Sequence, residues 1–480
     1  MAGFVQDLRY GVRTLLKNPG FTAIAVLALA LGIGANSAIF TVVNAVLLRP
    51  LPYKQPDRLA VLWQTNKGQG WEKVGVAGST FMDWKEQSRL LEDICVFEPG
   101  TGTLTGQGEP EQFAGLRISS NFFQTLGVKP HLGRLFTEAD EKQWMSVSVI
   151  SYSAWQQRFG GDPAAIGRRM IVDGLSYTLI GVVEPSFWFP FAADGFVVWD
   201  QAALRRRHRL DHSLGAIGRL KPGVSLEQAS AEMNTIEKGI NERVPEHEGW
   251  SVSMIPLKET VVEYIRRALL VLLGAVGFVL LIACTNVANL LLARGAARQK
   301  EIAIRASMGA GRMRIVRQML TESLVLSLAG GALGLLLAAW GTQVLVMLLP
   351  ETVPIPGSSG QITLMKIGMD GWVLAFTFGI SILTGIVFGM VPAISCSKTS
   401  PAESLKEGGR SSRTGTARWR GALVISEVAL ALVLLAGASL MLGSVARLQA
   451  VNPGFRSGQL LTFEVELPTD SHYRTQKEQG

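Results

Sequence analysis

The sequence predicts a multi-pass α-helical membrane protein of about five spans, with one large α+β domain outside the membrane. Three observations carry this reading. Apolar runs fill residues 21–48, 268–293, 320–349, 371–394 and 421–445, each long enough for the roughly 20 helical residues that cross a bilayer. A basic connector, 294–320, joins two of these runs, holding Arg294, Arg298, Lys300, Arg305, Arg312, Arg314 and Arg317 against one acid, Glu301. Residues 50–262 form a single long mixed stretch with no such run.

The first 20 residues carry Arg9, Arg13 and Lys17 with a single acid and read as an amphipathic, cytoplasmic lead-in. In the run that follows, Ala28-Leu29-Ala30 could pass for a signal-peptide cleavage site, but the apolar stretch continues well beyond it, so an uncleaved first span is favoured. Asn36 and Asn44 lie eight apart on one face of that span, and amides inside a membrane ordinarily hydrogen-bond a neighbouring helix. Arg49-Pro50-Leu51-Pro52 ends the helix.

The soluble stretch alternates strand-like runs (LAVLWQT, VSVISY, YTLIGVV, FVVWD) with helical ones (SSNFFQTLG, SYSAWQQRFG, SLEQASAEMNTIEKGI). Turn signals separate them: Pro-Asp at 56, Gly-Asp-Pro at 161, Asp-Gly at 173 and Lys-Pro-Gly at 221. That mixture predicts an α+β domain. His208 and His212 are spaced as two metal ligands on a helix would be. Arg205, Arg206, Arg207 and Arg209 beside them disfavour a cation, so a solvated polar loop is expected. Neither HExxH nor GxSxG occurs in the chain.

In the second span, 268–293, Asn286 and Asn289 share a face, and interhelix packing is the expected role. The third span, 320–349, carries Gly330 and Gly334, and the fourth, 371–394, carries Gly385 and Gly389. Both pairs have the small-xxx-small spacing that lets helices approach closely. Residues 350–369 read as an outer loop and 395–420 as a cytoplasmic linker. In the fifth span, 421–445, Glu427 lies near the cytoplasmic end, where it either has a function or simply snorkels to the interface or pairs with Arg420.

Composition bounds the function. The chain has 480 residues, 48% of them hydrophobic, and a net charge of +8. Its basic residues gather at the ends of apolar runs, which is the positive-inside pattern and not the footprint of a nucleic-acid binder; no nucleic-acid partner is expected. Cys95, Cys284 and Cys396 have no metal-ligand spacing. The connector itself allows two readings. Glu301 and Arg305 stand four apart with the acid first, the better order for a helical ion pair, and Gly309-Ala310-Gly311 offers a break before the next helix. That describes either a short amphipathic helix with a task or a charge cluster that only fixes topology.

The order of parts resembles a MacB/FtsX-type ABC transporter permease, most nearly the duplicated orphan permeases, the ADOP family. The residues that carry the resemblance are DLRYGVRTLLKNPGFTAIAVLALALGIGANSAIFTVVNAVLLRPLPY at the start; GRLFTEAD, VISYSAWQQRFGGDPAAIGRRMIVDGLSYTLIGVVEPSF and GRLKPGVSLEQA in the soluble stretch; and LLIACTNVANLLLARGAARQKEIAIRASMGAGRMRIVRQMLTESL in the membrane part. It implies a MacB-like periplasmic core domain at about 50–262 and an FtsX-like permease domain at 268–395. It also implies a bacterial inner-membrane location with the N-terminus cytoplasmic. Members usually contain two such halves, so the chain reads as a first half, the opening span of a second at 421–445, and the truncated start of a second periplasmic segment at 446–480. A second permease half or a homodimer, and a periplasmic partner, are expected accordingly.

In the wider family the connector docks onto a cytoplasmic ABC ATPase subunit. Carried onto this sequence, Glu301, Ile302, Arg305, Gly309 and Ala310 become the candidate ATPase-coupling residues. The chain contains no GxxxxGK[ST] loop to cradle phosphates, so ATP is expected to act through the partner, and no catalytic, cofactor-binding or metal-binding residue is expected here. The functions implied are an export or efflux permease or, in the alternative, a transmembrane signal transmitter that controls a periplasmic enzyme. An enzyme anchored to the membrane, with its site in 50–262, is disfavoured by the lack of a nucleophile, metal or acid-pair motif.

Overall fold

The computed structural model describes residues 2–105, 109–141, 146–297, 312–348, 352–354, 361–363, 368–397 and 412–451. They divide into two compact units, one built on Met1–Leu48, Ile265–Leu349 and Lys366–Leu461, the other on Arg49–Tyr264, Pro350–Met365 and Thr462–Gly480.

The first unit is helical. It begins with α1 (Ala2–Leu16) and α2 (Pro19–Val43), the latter running on through one π-helical turn, Asn44–Leu48. The break between them follows from Pro19, which has no N–H to donate and is preorganised for a first helical turn. Asn18 and Thr22 bind back to the carbonyls of Thr14 and Leu15, satisfying the end of α1.

The second unit follows in the chain as β1 (Leu59–Asn66), β2 (Trp71–Val74), α3 (Gly78–Gln87), β3 (Leu91–Thr105), β4 (Glu111–Ile118), α4 (Phe122–Leu126), β5 (Pro130–Gly133), α5 (Glu138–Glu141), β6 (Val147–Ile150), α6 (Tyr152–Phe159), β7 (Arg169–Val172), β8 (Leu175–Val183), β9 (Gly195–Val198), α7 (Gln201–Arg206), β10 (Gly215–Leu220), α8 (Leu226–Arg243) and β11 (Ser251–Pro256). These strands make one 11-stranded mixed sheet in the order β11-β1-β10-β3-β4-β9-β6-β8-β5, with β2 on β1 and β7 spanning β3 and β8. Its centre is buried on both faces. Leu59, Val61, Cys95, Phe97 and Ile217 point into one core with Phe122, Phe123 and Phe196. Their alternates Ala60, Leu62, Ile94, Val96 and Ala216 point into another, under Phe81, Trp84 and Met233. Burial on both faces explains why LAVLW reads as a continuous apolar run with no alternation. The β7–β8 hairpin turns on Asp173 and Gly174 at φ 52 and 75; two central residues in the left-handed region match the twist of the flanking strands.

His208 is exposed, as a solvated loop requires, but His212 is not part of such a loop. Its ring stacks on Trp250 at 4.1 Å, and its Nδ1–H donates to Gln64 at 3.0 Å. Gln64 in turn donates to Glu237 at 3.0 Å, and that carboxylate also accepts from Trp84 Nε1 at 2.7 Å and His247 Nε2 at 2.8 Å. Glu237 and His247 are fully buried. Arginines next in sequence suggested a polar surface; the aromatic residues that cover His212 come from elsewhere in the chain.

Returning to the helical unit, α9 (Leu257–Ala297), α10 (Arg312–Leu348), α11 (Gly371–Ser397) and α12 (Ser412–Gln449) complete the helices. Between α10 and α11, β12 (Thr352–Pro354) and β13 (Gln361–Thr363) form a separate hairpin. Five helical segments have the length and hydropathy to cross a membrane: Pro19–Leu48, Ile265–Arg294, Met313–Val344, Gly371–Ile394 and Gly421–Gln449. The first four share a small apolar core that includes Leu29, Ile33, Cys284, Val287 and Leu326, while α12 is exposed at most positions from Gly421 to Gln449.

Candidate functional site: the basic connector and its supports

The helix that follows the connector, α10, is fixed by close backbone approach. In α10, a Cβ at Gly330 would stand 2.6 Å from Leu29 Cβ, and one at Gly334 would stand 2.8 Å from the Ala30 carbonyl oxygen. Gly34 of α2 answers Gly334 directly, since a Cβ there would lie 2.8 Å from the Gly334 carbonyl oxygen. On another side of α10, Gly385 and Gly389 of α11 lie against Leu324 and Ser323: added Cβ atoms would meet Leu324 Cα at 3.1 Å and Ser323 Cβ at 2.6 Å. Such approaches are closer than real Cβ contacts allow, so α10 is wedged between α2 and α11 by residues without side chains.

Polar side chains pin the same bundle. Asn36 donates to the Val276 carbonyl of α9 at 2.8 Å, and Ser37 bonds Thr377 of α11 at 2.8 Å. Asn44, in the π-helical turn, donates to Asp370 Oδ2 at 2.8 Å, while Asp370 Oδ1 accepts Val373 N–H and caps α11. Asn286 lies on the exposed side of α9. Asn289 is half-buried, and its Oδ1 has no hydrogen-bond partner among the described residues.

Both described ends of the connector are tied to α1. At the end of the second span, Arg294 donates to the Thr14 carbonyl at 2.9 Å, with its guanidinium 4.6 Å from the Phe21 ring centroid. At the start of α10, Arg317 Nε reaches Asp7 Oδ2 at 2.7 Å. One turn on, Gly11 faces Glu322, whose Cγ would be 3.7 Å from an added Cβ. The N-terminal helix therefore links the two helices that the connector joins. Asp7 is the acid that sequence reasoning passed over; the available signal was its standing alone among Arg9, Arg13 and Lys17. Glu301, Ile302, Arg305, Gly309 and Ala310 lie outside the described residues. Among the described residues no group of three or more His, Cys, Asp or Glu side chains could hold a metal ion.

Comparison with known proteins matches residues 22–236 to the MacB-like periplasmic core domain and residues 273–401 to the FtsX-like permease C-terminal domain. Together these two domains place the chain in the MacB/FtsX-type permease family. Among named relatives, the macrolide export ATP-binding/permease protein MacB 2 of Aeromonas hydrophila is 26% identical over 413 residues, covering 83% of this chain and 59% of the relative. The pyoverdine export ATP-binding/permease protein PvdT of Pseudomonas syringae is 24% identical over 279 residues, covering 57% of this chain and 39% of the relative. The chain spans about half the length of the curated relatives it matches. Among solved structures, the periplasmic region of MacB from Actinobacillus actinomycetemcomitans is 16% identical and covers 46% of this chain and 97% of that chain, with a TM-score of 0.34.

Proposed function

We propose that the chain is the permease subunit of a MacB/FtsX-type export system, moved by a separate cytoplasmic ABC ATPase that docks on the connector. The observation that carries this reading is the shared support of the connector's two ends. Arg294 and Arg317, on different helices, are both held by α1, through Thr14 and Asp7. Force applied between them would shift a braced set of helices and would not be lost in a slack loop. The wedge of Gly334 against Gly34 makes that set stiff, and stiff elements with discrete arrangements are what relay a shear or hinge motion.

The positive-inside pattern puts the connector on the cytoplasmic side, where an ATPase can reach Glu301, Ile302, Arg305, Gly309 and Ala310. Hydrolysis belongs to the partner, and this chain's task is transmission and export. The two named relatives are both called export ATP-binding/permease proteins, which supports that direction of transport. The test is co-purification from native membranes of the wild-type chain and of a Glu301→Arg, Arg305→Glu double variant. An ABC ATPase recovered with the wild type and lost with the folded variant is the expected result. Equal recovery with both would return the connector to a topology-setting charge cluster.

A further inference from the structure

Six strands of the outer unit close on themselves. β3 pairs β4, β4 pairs β9, β9 pairs β6, β6 pairs β8, β8 pairs β7, and β7 returns to β3. Small closed rings of strands are filled by their own side chains or hold one small ligand. This one carries a partly open cavity of about 440 Å³, lined by residues of all six strands.

Glycines keep it open. Gly100 on β3 and Gly115 on β4 are direct cross-strand partners, and both line the cavity. A Cβ on Gly100 would meet nothing within 4 Å, and one on Gly115 would meet only the Gly100 carbonyl oxygen, at 3.7 Å. Neither has positive φ. Packing and backbone geometry thus leave room for larger residues at both positions. Glycine inside a strand weakens it and commonly marks a place where another group approaches the backbone.

The walls supply a chemistry. Phe113 and Tyr177 are the aromatic residues of the lining. Ser148 is 3% exposed, lines the cavity, and its Oγ has no hydrogen-bond partner among the described residues. A buried hydroxyl without a partner is destabilising, and a ligand acceptor would offset that cost. Burial raises the Tyr177 pKa, so the phenol stays a neutral donor. Arg117, Val197 and Ser148 stand in one register row across β4, β9 and β6. Arg117 lies over the Trp199 ring at 5.2 Å and forms no ion pair among the described residues. Two acids also line the cavity: Glu98, which faces Arg117 across the β3–β4 pair and is held by Arg207 at 2.9 Å, and Asp173, whose Oδ1 accepts the Thr103 N–H at 2.7 Å. The unmet donor is the Ser148 hydroxyl, and the Tyr177 phenol and the Arg117 guanidinium add two more donors to the lining.

We propose that this cavity binds a small planar molecule bearing a carboxylate, its ring over the Gly100–Gly115 floor and its carboxylate on the row formed by Ser148 and Arg117. The site goes beyond the export reading and does not depend on ATPase coupling. It is tested by calorimetric titration of the full chain in lipid nanodiscs with 2-naphthoate, no nucleotide or ATPase present, against empty nanodiscs and against 2-naphthylmethylamine as the oppositely charged probe. Expected are saturable binding of 2-naphthoate and at least a tenfold weaker affinity for the amine. Gly100→Leu fills the floor and should weaken 2-naphthoate at least tenfold without lowering the unfolding temperature; Arg117→Gln should weaken it while narrowing the gap between the two probes. Absence of saturable binding up to millimolar probe overturns the proposal. So does equal affinity for the two probes, or unchanged affinity in Gly100→Leu. Should Gly100→Leu fail to fold, Gly115→Val takes its place, and failure of both to fold overturns the claim that the floor is empty space.

Discussion

In the outer unit, α8 buries one face through Ala229, Met233, Ile236 and Ile240, and carries Glu237 into the interior on a complete set of donors. In the membrane unit, α10 meets its neighbours through Gly330, Gly334, Ser323 and Ser327. The two helices do the same job with opposite residue types, and the solvent of the unfolded reference explains why. In water, each large apolar side chain gains roughly 1.5–3 kcal/mol on burial, so α8 spends its inner face on bulk. In lipid that gain is absent, and close van der Waals approach and interhelical hydrogen bonds hold helices together, so α10 removes side chains where it must touch.

The strongest way to break the comparison is at Glu237. Replacing it with Ala leaves Trp84 Nε1, His247 Nε2 and Gln64 Nε2 without their buried acceptor. Each buried donor left without its acceptor costs about 1–3 kcal/mol. Denaturant unfolding followed by tryptophan fluorescence should show a loss of that size, and a loss under about 1 kcal/mol would mean that the network is solvated.

The membrane unit predicts a sharper contrast within one residue type. Gly334→Val pushes a side chain into Ala30 and Gly34, for an overpacking cost of about 1–3 kcal/mol. Gly277→Val, where an added Cβ meets nothing within 4 Å, should be close to neutral in a lipid-facing position. Unfolding in mixed micelles measures both, and equal losses would show that the two faces of the bundle are not different environments.

A smaller effect separates the units by pH. Burial, the largest cause, lowers the His212 pKa; nearby His247 also lowers it, against a Gly75 backbone hydrogen bond, Asp211 and Glu237, which raise it. The unfolded chain takes up a proton near the usual histidine value of about 6.5, and the folded chain only at lower pH. The unfolded state therefore binds more protons in that window, and the His212 contribution is whole above about pH 6.5 and declines as pH falls below it. His212→Asn should flatten this slope in the outer unit's unfolding midpoint. An unchanged slope would place the titration elsewhere.

Legibility followed the range of the interaction that decides each feature. The apolar run at 59–63, the Asp173-Gly174 turn and the spacings of Gly330–Gly334 and Gly385–Gly389 are local, and each could be read directly. Their partners could not. Gly34 opposite Gly334, Gly115 opposite Gly100, and Trp250 over His212 are brought together by pairings between distant segments, and nothing near them in sequence marks the meeting. Closure of the strand ring by two β3–β7 pairs is equally silent in composition. The arginines beside His212 were a misleading local signal, because Arg207 and Arg209 turn to Glu98 and Asp83 and leave the histidine to its own surroundings.

The smallest effect concerns Asp7, where geometry and energy part company. Arg317 is half-exposed although Asp7 is nearly buried, and an ion pair with one partner so open to solvent contributes less than about 1 kcal/mol. Asp7→Asn should accordingly change global unfolding by no more than that. What it should change is the local hold on α1. With Thr14 still accepting from Arg294, the C-terminal turn of α1 stays attached while its N-terminal turns lose their link to α10. Hydrogen exchange should therefore quicken at amides near Asp7 more than at those near Thr14, with α10 unaffected. Uniform exchange along α1 in the variant would mean that its docking rests on apolar contacts around Leu15, and that the acid does not position it.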